Sequence, residues 1–249
     1  MIASVMFANI GAFMKAYAHS DLFGKIVILG LVALSAICWI VLIHKVWVTR
    51  RVMKLSQEFR RAFLSSKEQL LNLDLTKLPK ASHSGIPHPY AAIFDDLKRK
   101  AVEILNKNHF FSSQAGKEAA VYLSPVDLEM IEAHTLSAIS ASVKKLEQNL
   151  FVLPTIITLA PFLGLLGTVW GILVTFGELG GGTATSNMAI LGGLSTALAT
   201  TVLGLIIAIP ALVAYNYLKS TIRHYTSDME EFLYELLSAV EIQYRKVEM

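Results

Sequence analysis

Three runs of this chain, residues 26–43, 151–176 and 188–218, are strongly apolar and contain no Asp, Glu, Lys or Arg. A helix needs about 20 apolar residues, at ~1.5 Å each, to cross the ~30 Å hydrocarbon layer of a bilayer. Lipid offers no partner to a backbone N–H or C=O, so each run must close its hydrogen bonds within a helix. The chain therefore reads as an all-α integral membrane protein with three transmembrane helices. Only 16% of its 249 residues are charged, below the quarter usual for soluble domains. The net charge of +3 is too mild to argue for nucleic acid. The single cysteine, Cys38, lies inside the first run, so no internal disulfide framework exists. The first run is long for a signal-peptide core and starts late, so it is expected to be a retained span.

Lys and Arg set the orientation. Of 22, only Lys15 and Lys25 precede the first run, and none lies between the second and third. Lys45, Arg50, Arg51, Lys54, Arg60 and Arg61 follow the first run, and Lys219 and Arg223 follow the third. Basic residues stay in the cytoplasm, which predicts the N-terminus outside and the C-terminus inside. The expected organisation is a periplasmic segment 1–21, spans at 22–45, 151–176 and 188–218, a cytoplasmic helical region 46–150, a short periplasmic loop 177–187 and a cytoplasmic C-terminal helix 219–249.

Helical periodicity continues past the spans and predicts that they extend into a cytoplasmic helical bundle. Val48, Val52, Leu55, Phe59 and Phe63 keep helical spacing after the first span. Ile93, Phe94, Leu97, Val102 and Leu105 form a stripe within 91–106. Ser124 and Pro125 read as a cap and first helical residue, from which the pattern runs on into the second span. Ile222, Tyr225, Met229, Phe232, Leu236 and Val240 step by three and four, a seam for neighbouring helices. A continuous helix over 188–245 would be roughly 85 Å long. Pro79, Ser82, Gly85 and Pro87 make 72–90 loop-like. His83 and His88 there lack the carboxylate or cysteine company of a metal site, and residues 95–100, DDLKRK, read as a solvated helix face. No cofactor or metal site is expected.

The spans themselves carry polar punctuation. Gly164, Gly167, Thr168, Gly171 and Thr175 recur at three- and four-residue steps, as do Gly193, Ala197, Thr200, Gly204 and Ala208. Small faces let helix backbones approach closely in a membrane. Threonines in lipid also bond back to their own helix, so packing alone is one reading. Thr155, Thr158, Thr196 and Thr201 add further hydroxyls, and Pro154, Pro161 and Pro210, as helix breakers, each release a backbone carbonyl. Such features suit helices lining a hydrated or partner-filled space. An ionisable group at mid-membrane usually marks an ion path, and these two spans hold none. If protons cross the assembly, the titrating group comes from another chain. Glu178 falls in the predicted outer loop, where it is expected to be solvated or to attract cations.

The run TLAPFLGLLGTVWGI (158–172), with GLSTALATTVLGLIIAIPALVAYN (193–216), resembles the TolQ/ExbB/MotA proton-channel family. The likeness is closest to TolQ and ExbB and extends to SAICW, with Ser35 and Trp39, in the first span. It covers about 20–60 and 145–230. The resemblance implies a ring of five three-span subunits in the inner membrane of a Gram-negative bacterium. It implies a single-span TolR- or ExbD-like partner that brings a membrane Asp, and a TolA- or TonB-like protein beyond it. By the same resemblance, Thr168 and Thr201 face the partner Asp, and Thr196 stands where TolQ and ExbB commonly carry a Glu. Thr200, one turn from Thr196 and on the same face, is expected to join them on the proton path. Flagellar-stator members have four spans and a larger cytoplasmic region, which sets that branch apart.

The expected function is a proton-driven motor subunit that energises outer-membrane processes, of either the envelope-maintenance or the import type. The alternative is a non-conducting membrane scaffold whose Gly164, Gly167, Gly171, Gly193 and Gly204 serve packing only. No nucleophile–base pair or phosphate loop points to an enzyme.

Overall fold

The computed structural model describes residues 17–18, 20–65, 88–114, 122–180 and 187–244. Five helices make up nearly all of these: α1 (Leu22–Ser65), α2 (Pro89–Gln114), α3 (Pro125–Glu147), α4 (Val152–Gly180) and α5 (Asn187–Tyr244). Three stretches of helix, in α1, in α3–α4 and in α5, are long and apolar enough to cross a membrane. The chain divides into two compact units, one of Met1–Lys45 with Asn149–Leu218, the other of Val46–Gln148 with Lys219–Met249. The N-terminal segment 1–16 and the loop histidine His83 lie outside the described residues.

The first unit contains the three apolar runs. Asp21 caps α1, its Oδ1 accepting from the Gly24 N–H at 2.9 Å. Val27, Leu31 and Cys38 are buried at helical spacing, whereas Leu29, Trp39 and Ile40 on other faces stay exposed. The same division recurs on α4 and α5. Leu153, Ile156 and Ala160, with Ala197, Ala208 and Ala211, are buried, and large residues such as Phe162, Leu173 and Val213 point outward. Alanines buried among a few larger residues, with most bulky side chains outside, is the pattern of helices that meet each other closely and face lipid elsewhere.

The second unit has an aromatic core. Phe59, Phe94 and Phe232 are fully buried. Tyr90 stacks on Phe232 at 4.5 Å between centroids, and Phe59 meets Phe94 and Phe232 edge-on at 6.1 and 6.2 Å. All six residues of the α5 seam, from Ile222 to Val240, are buried. Most polar groups that enter this core are partnered, the exception being the buried Nε2 of His88, whose ring meets Phe59 edge-on. Ser56 Oγ bonds the Tyr225 hydroxyl, Tyr90 donates to the Asp228 carbonyl at 3.0 Å, and the buried Thr135 and Ser142 bond back to Ile131 and Ala138. Burial raises the Tyr90 hydroxyl to about 12. Arg60 is clamped by Glu231 and Glu235.

Some expectations need correction. The helical pattern does not run unbroken from Ser124 into the second span. It stops at Glu147, and Asn149 turns the chain at φ 63 before α4 begins. Asn is one of the few residues that tolerate this left-handed conformation. Pro154 then falls in the first turn of α4, where no N–H is needed. The carbonyl it would leave vacant, that of Leu150, is taken by Leu153 N–H at 3.1 Å. Helices α4 and α5 run through Pro161 and Pro210 without interruption. The buried stripe of α2 continues through Ala101 and Ile104, while Val102 and Leu105 are half-buried. Residues 95–100 are not purely a solvated face, because Asp96 joins Arg99 to His134 of α3. Ser124 caps α3 as expected, in a reciprocal capping box with Asp127, and Pro125 opens the helix. His88 also serves as a cap, its Nδ1 accepting from the Ala91 N–H at 3.2 Å.

Candidate functional site

The α4–α5 contact is built on glycine. A Cβ at Gly164 would lie 2.8 Å from the Thr200 carbonyl oxygen, one at Gly171 2.8 Å from the Ala197 Cβ, and one at Gly204 2.5 Å from the Ala160 carbonyl oxygen. Real Cβ atoms do not approach so closely, so these positions set how near the two backbones come. Gly167 faces the Thr200 side chain and Gly193 faces Thr175 in the same way. All five glycines singled out in the sequence sit on this one seam.

Three threonines meet around the Gly164 carbonyl. Thr168 Oγ1 reaches the Gly164 carbonyl of its own helix and the Ala197 carbonyl of α5, both at 3.1 Å, and bonds the Thr201 hydroxyl. Thr200 Oγ1 lies 2.7 Å from the Ala197 carbonyl and 3.1 Å from that of Gly164. Thr201 Oγ1 is also 3.1 Å from the Gly164 carbonyl. Each hydroxyl has one hydrogen to give and two lone pairs to receive. Three hydrogens therefore serve six possible bonds, and the donors can redistribute among them. Thr200 is buried and Thr168 and Thr201 are half-buried, so the cluster is shielded without being sealed.

The remaining hydroxyls behave differently. Thr155 and Thr158 are exposed and bond only to their own helix, at 3.0 Å to Phe151 and 3.1 Å to Pro154. Thr175 likewise bonds Gly171 at 2.8 Å. For these, packing and self-satisfaction account for the hydroxyl. Thr196 donates to the Gly192 carbonyl at 2.9 Å and stands apart from the cluster of three.

Thr196 instead lines a cavity of about 640 Å³ at the end of this unit where α1 and α5 begin and α4 ends. Thr200 lines it too, so the cavity touches the hydroxyl cluster. Glu178 is another wall residue. It lies in the last turn of α4, which continues to Gly180, and not in a loop as the sequence suggested. Asp21 completes the wall, its Oδ2 accepting from the Trp170 indole N–H at 2.7 Å. Trp170 also packs on Phe23 with ring centroids 4.4 Å apart. Sequence reasoning missed the Asp21–Trp170 pair. A Ser-Asp preceding an apolar run signals a helix cap, but nothing in that signal points to an indole on a distant span. Among the described residues, no three His, Cys, Asp or Glu side chains gather as a metal site would require.

Fold and site together define a polytopic helical membrane protein whose second and third apolar helices meet through glycine and share a hydroxyl cluster. Residues 106–231 match the family model for the MotA/TolQ/ExbB proton channel family, and the chain belongs to that family. It is 24% identical to the Tol-Pal system protein TolQ of Haemophilus influenzae over 236 residues, 93% of this chain and 94% of that protein. It is 29% identical to the TolQ of Pseudomonas aeruginosa over 80% of this chain and 79% of that protein. It is 41% identical to the biopolymer transport protein ExbB of Aquifex aeolicus over 98 residues, a match that spans 39% of this chain and 66% of that protein.

Proposed function

We propose that this chain is the channel-forming subunit of a proton-driven machine in the inner membrane of a Gram-negative bacterium. In that machine it encloses a single-span partner of the TolR or ExbD kind and works as a homo-oligomer, expected to be a ring of five. The carrying observation is the cluster of Thr168, Thr200 and Thr201 inside helices that hold no Asp, Glu, Lys, Arg or His over 151–176 and 188–218. Hydroxyls can accept a proton's hydrogen bond and pass one on, but they do not titrate in the physiological range. A carboxylate brought by the partner would do so, and the cluster would solvate it in each protonation state. Each elementary charge crossing 100 mV releases ~2.3 kcal/mol, so a few protons per cycle suffice for a conformational step. The chain transduces energy and catalyses no covalent chemistry.

The relatives divide between Tol-Pal and biopolymer-transport names, which supports work directed at the outer membrane. Loss of envelope integrity on depletion would assign this chain to the first kind, and loss of import through outer-membrane receptors to the second. A TolA- or TonB-like protein would carry the motion outward.

The test is Thr168→Val and Thr201→Val, made singly. Each keeps the side-chain shape and removes the hydroxyl. Each should abolish energy coupling while protein level and assembly are retained. Full activity in both discards the site. A scaffold is the second reading, favoured by the number of hydroxyls that are satisfied within the helix pair. It would be upheld if purification of the intact complex yielded no single-span protein with a membrane Asp.

A further inference from the structure

Two acidic side chains, Asp21 and Glu178, line the cavity at the α1–α4–α5 end, and among the described residues that line it they are the only ionisable ones. Lys25 lies one turn further along α1 but is not part of the wall. Apart from Trp170, Val174 and Ala197, the rest of the wall is glycine and hydroxyl, with Thr196 and Thr200 leading to the cluster. Water needs polar partners and on the order of 10–15 Å³ of probe-centre space per molecule, and the cavity supplies both.

Asp21 is held in an orientation that a cap alone does not require. One oxygen accepts from the Gly24 N–H and the other from the Trp170 indole. Its charge is thus fixed against α4. Gly24 is part of the arrangement, since a Cβ there would come within 2.9 Å of Asp21 Oδ1. Gly192, in contrast, lines the cavity with nothing within 4 Å of a would-be Cβ, so a side chain there would project into the void.

We propose that this cavity is a cation-attracting vestibule, in which Asp21 and Glu178 concentrate hydronium from the non-cytoplasmic side and deliver it toward Thr196 and Thr200. The inference rests on the channel reading above and assigns its mouth. It also gives Thr196 a role that requires no carboxylate of its own. The acid sits on α1, across the cavity. A low-dielectric cleft walled by one sign of charge raises the local concentration of counter-ions by tenfold or more.

The test reads the electrostatics without needing transport. In a Cys38→Ala background, Gly192→Cys and Val174→Cys each place a thiol on the cavity wall. Right-side-out vesicles carrying the intact complex are treated with a cationic and an anionic methanethiosulfonate, and rates are normalised to a small free thiol. The vestibule predicts that the cationic reagent is faster by about tenfold. Adding Asp21→Asn, which can still cap the helix, should cut that preference about threefold or more, and adding Glu178→Gln as well should bring it to about one. Protection of both thiols from outside, or a preference indifferent to Asp21→Asn, overturns the proposal.

A second measurement separates it from the channel reading. In proteoliposomes of the purified complex, Gly192→Trp and Asp21→Asn should each slow proton uptake several-fold relative to the unaltered complex. Wild-type rates in both would sink the vestibule alone. A complex that passes no protons would sink the channel reading instead, whatever the thiols report.

Discussion

The two compact units are packed by opposite means. In Asn149–Leu218 the closest helix contacts are made by glycine, alanine and threonine, and most of the bulky side chains face away, Leu153 and Ile156 being buried exceptions. In Val46–Gln148 with Lys219–Met249 the bulky side chains are the core, and Phe59, Phe94, Tyr90 and Phe232 interlock. The solvent explains the contrast. In water, burying an aromatic ring is favourable in proportion to its apolar area. In lipid that gain disappears, since hydrocarbon is as good a neighbour as another ring. What remains is close backbone approach and hydrogen bonding between helices.

The sharpest way to break the aromatic half is Phe232→Ala. It removes a fully buried ring that touches Tyr90, Phe59 and Phe63. A loss of about 3–5 kcal/mol is expected, seen as protease sensitivity of the α5 C-terminal region in the purified protein. An unchanged digestion pattern would mean the stack is incidental.

The glycine half is tested next, with a smaller effect. Gly204→Ala gains about 1 kcal/mol of helix propensity but drives a methyl against the Ala160 carbonyl. Overpacking costs about 1–3 kcal/mol, and because a backbone atom cannot rotate aside, the net change should be destabilising. Gly30→Ala on α1, where a Cβ meets nothing within 4 Å, is the control and should be neutral or stabilising. Thermal aggregation of the detergent-solubilised protein compares the two. Equal midpoints would erase the distinction between a glycine at a contact and one beside open space.

The smallest effect lies in the α3 capping box. Burial works to raise the Asp127 carboxyl, but hydrogen bonds from Ser124 and Asn108 outweigh it and hold the group below its ordinary 3.8. A depressed carboxylate stabilises the fold above the unfolded value, and that contribution is lost as pH falls through the folded one. Asp127→Asn should therefore flatten the acid limb of a stability–pH curve while changing stability near neutrality by under about 1 kcal/mol. An acid limb identical to that of the unaltered protein would show that the carboxylate is not the responsible group.

What could be read from residues alone follows the same division. The α5 seam was legible because water imposes a strict apolar period, and all six residues are buried. The glycine steps were legible because small residues at every third or fourth place have few other uses in an apolar run. The threonines were only half legible. Spacing shows which share a face, but bonding back to the parent helix and bonding across to the next look alike in sequence. Thr158 turned out to be the first kind, and Thr168 to be both. The break at Asn149 was missed because a single Asn without Gly or Pro beside it is a weak stop signal. The Asp21–Trp170 bond was beyond reach, since it joins residues on different helices and no local pattern records it.

Three hydroxyls around the Gly164 carbonyl, with fewer hydrogens than places to put them, make a small piece of ice inside the bilayer. Like ice, it has more than one way to place its hydrogens. A methyl group in place of any one oxygen does more than delete a bond. It leaves the survivors fewer patterns to choose from.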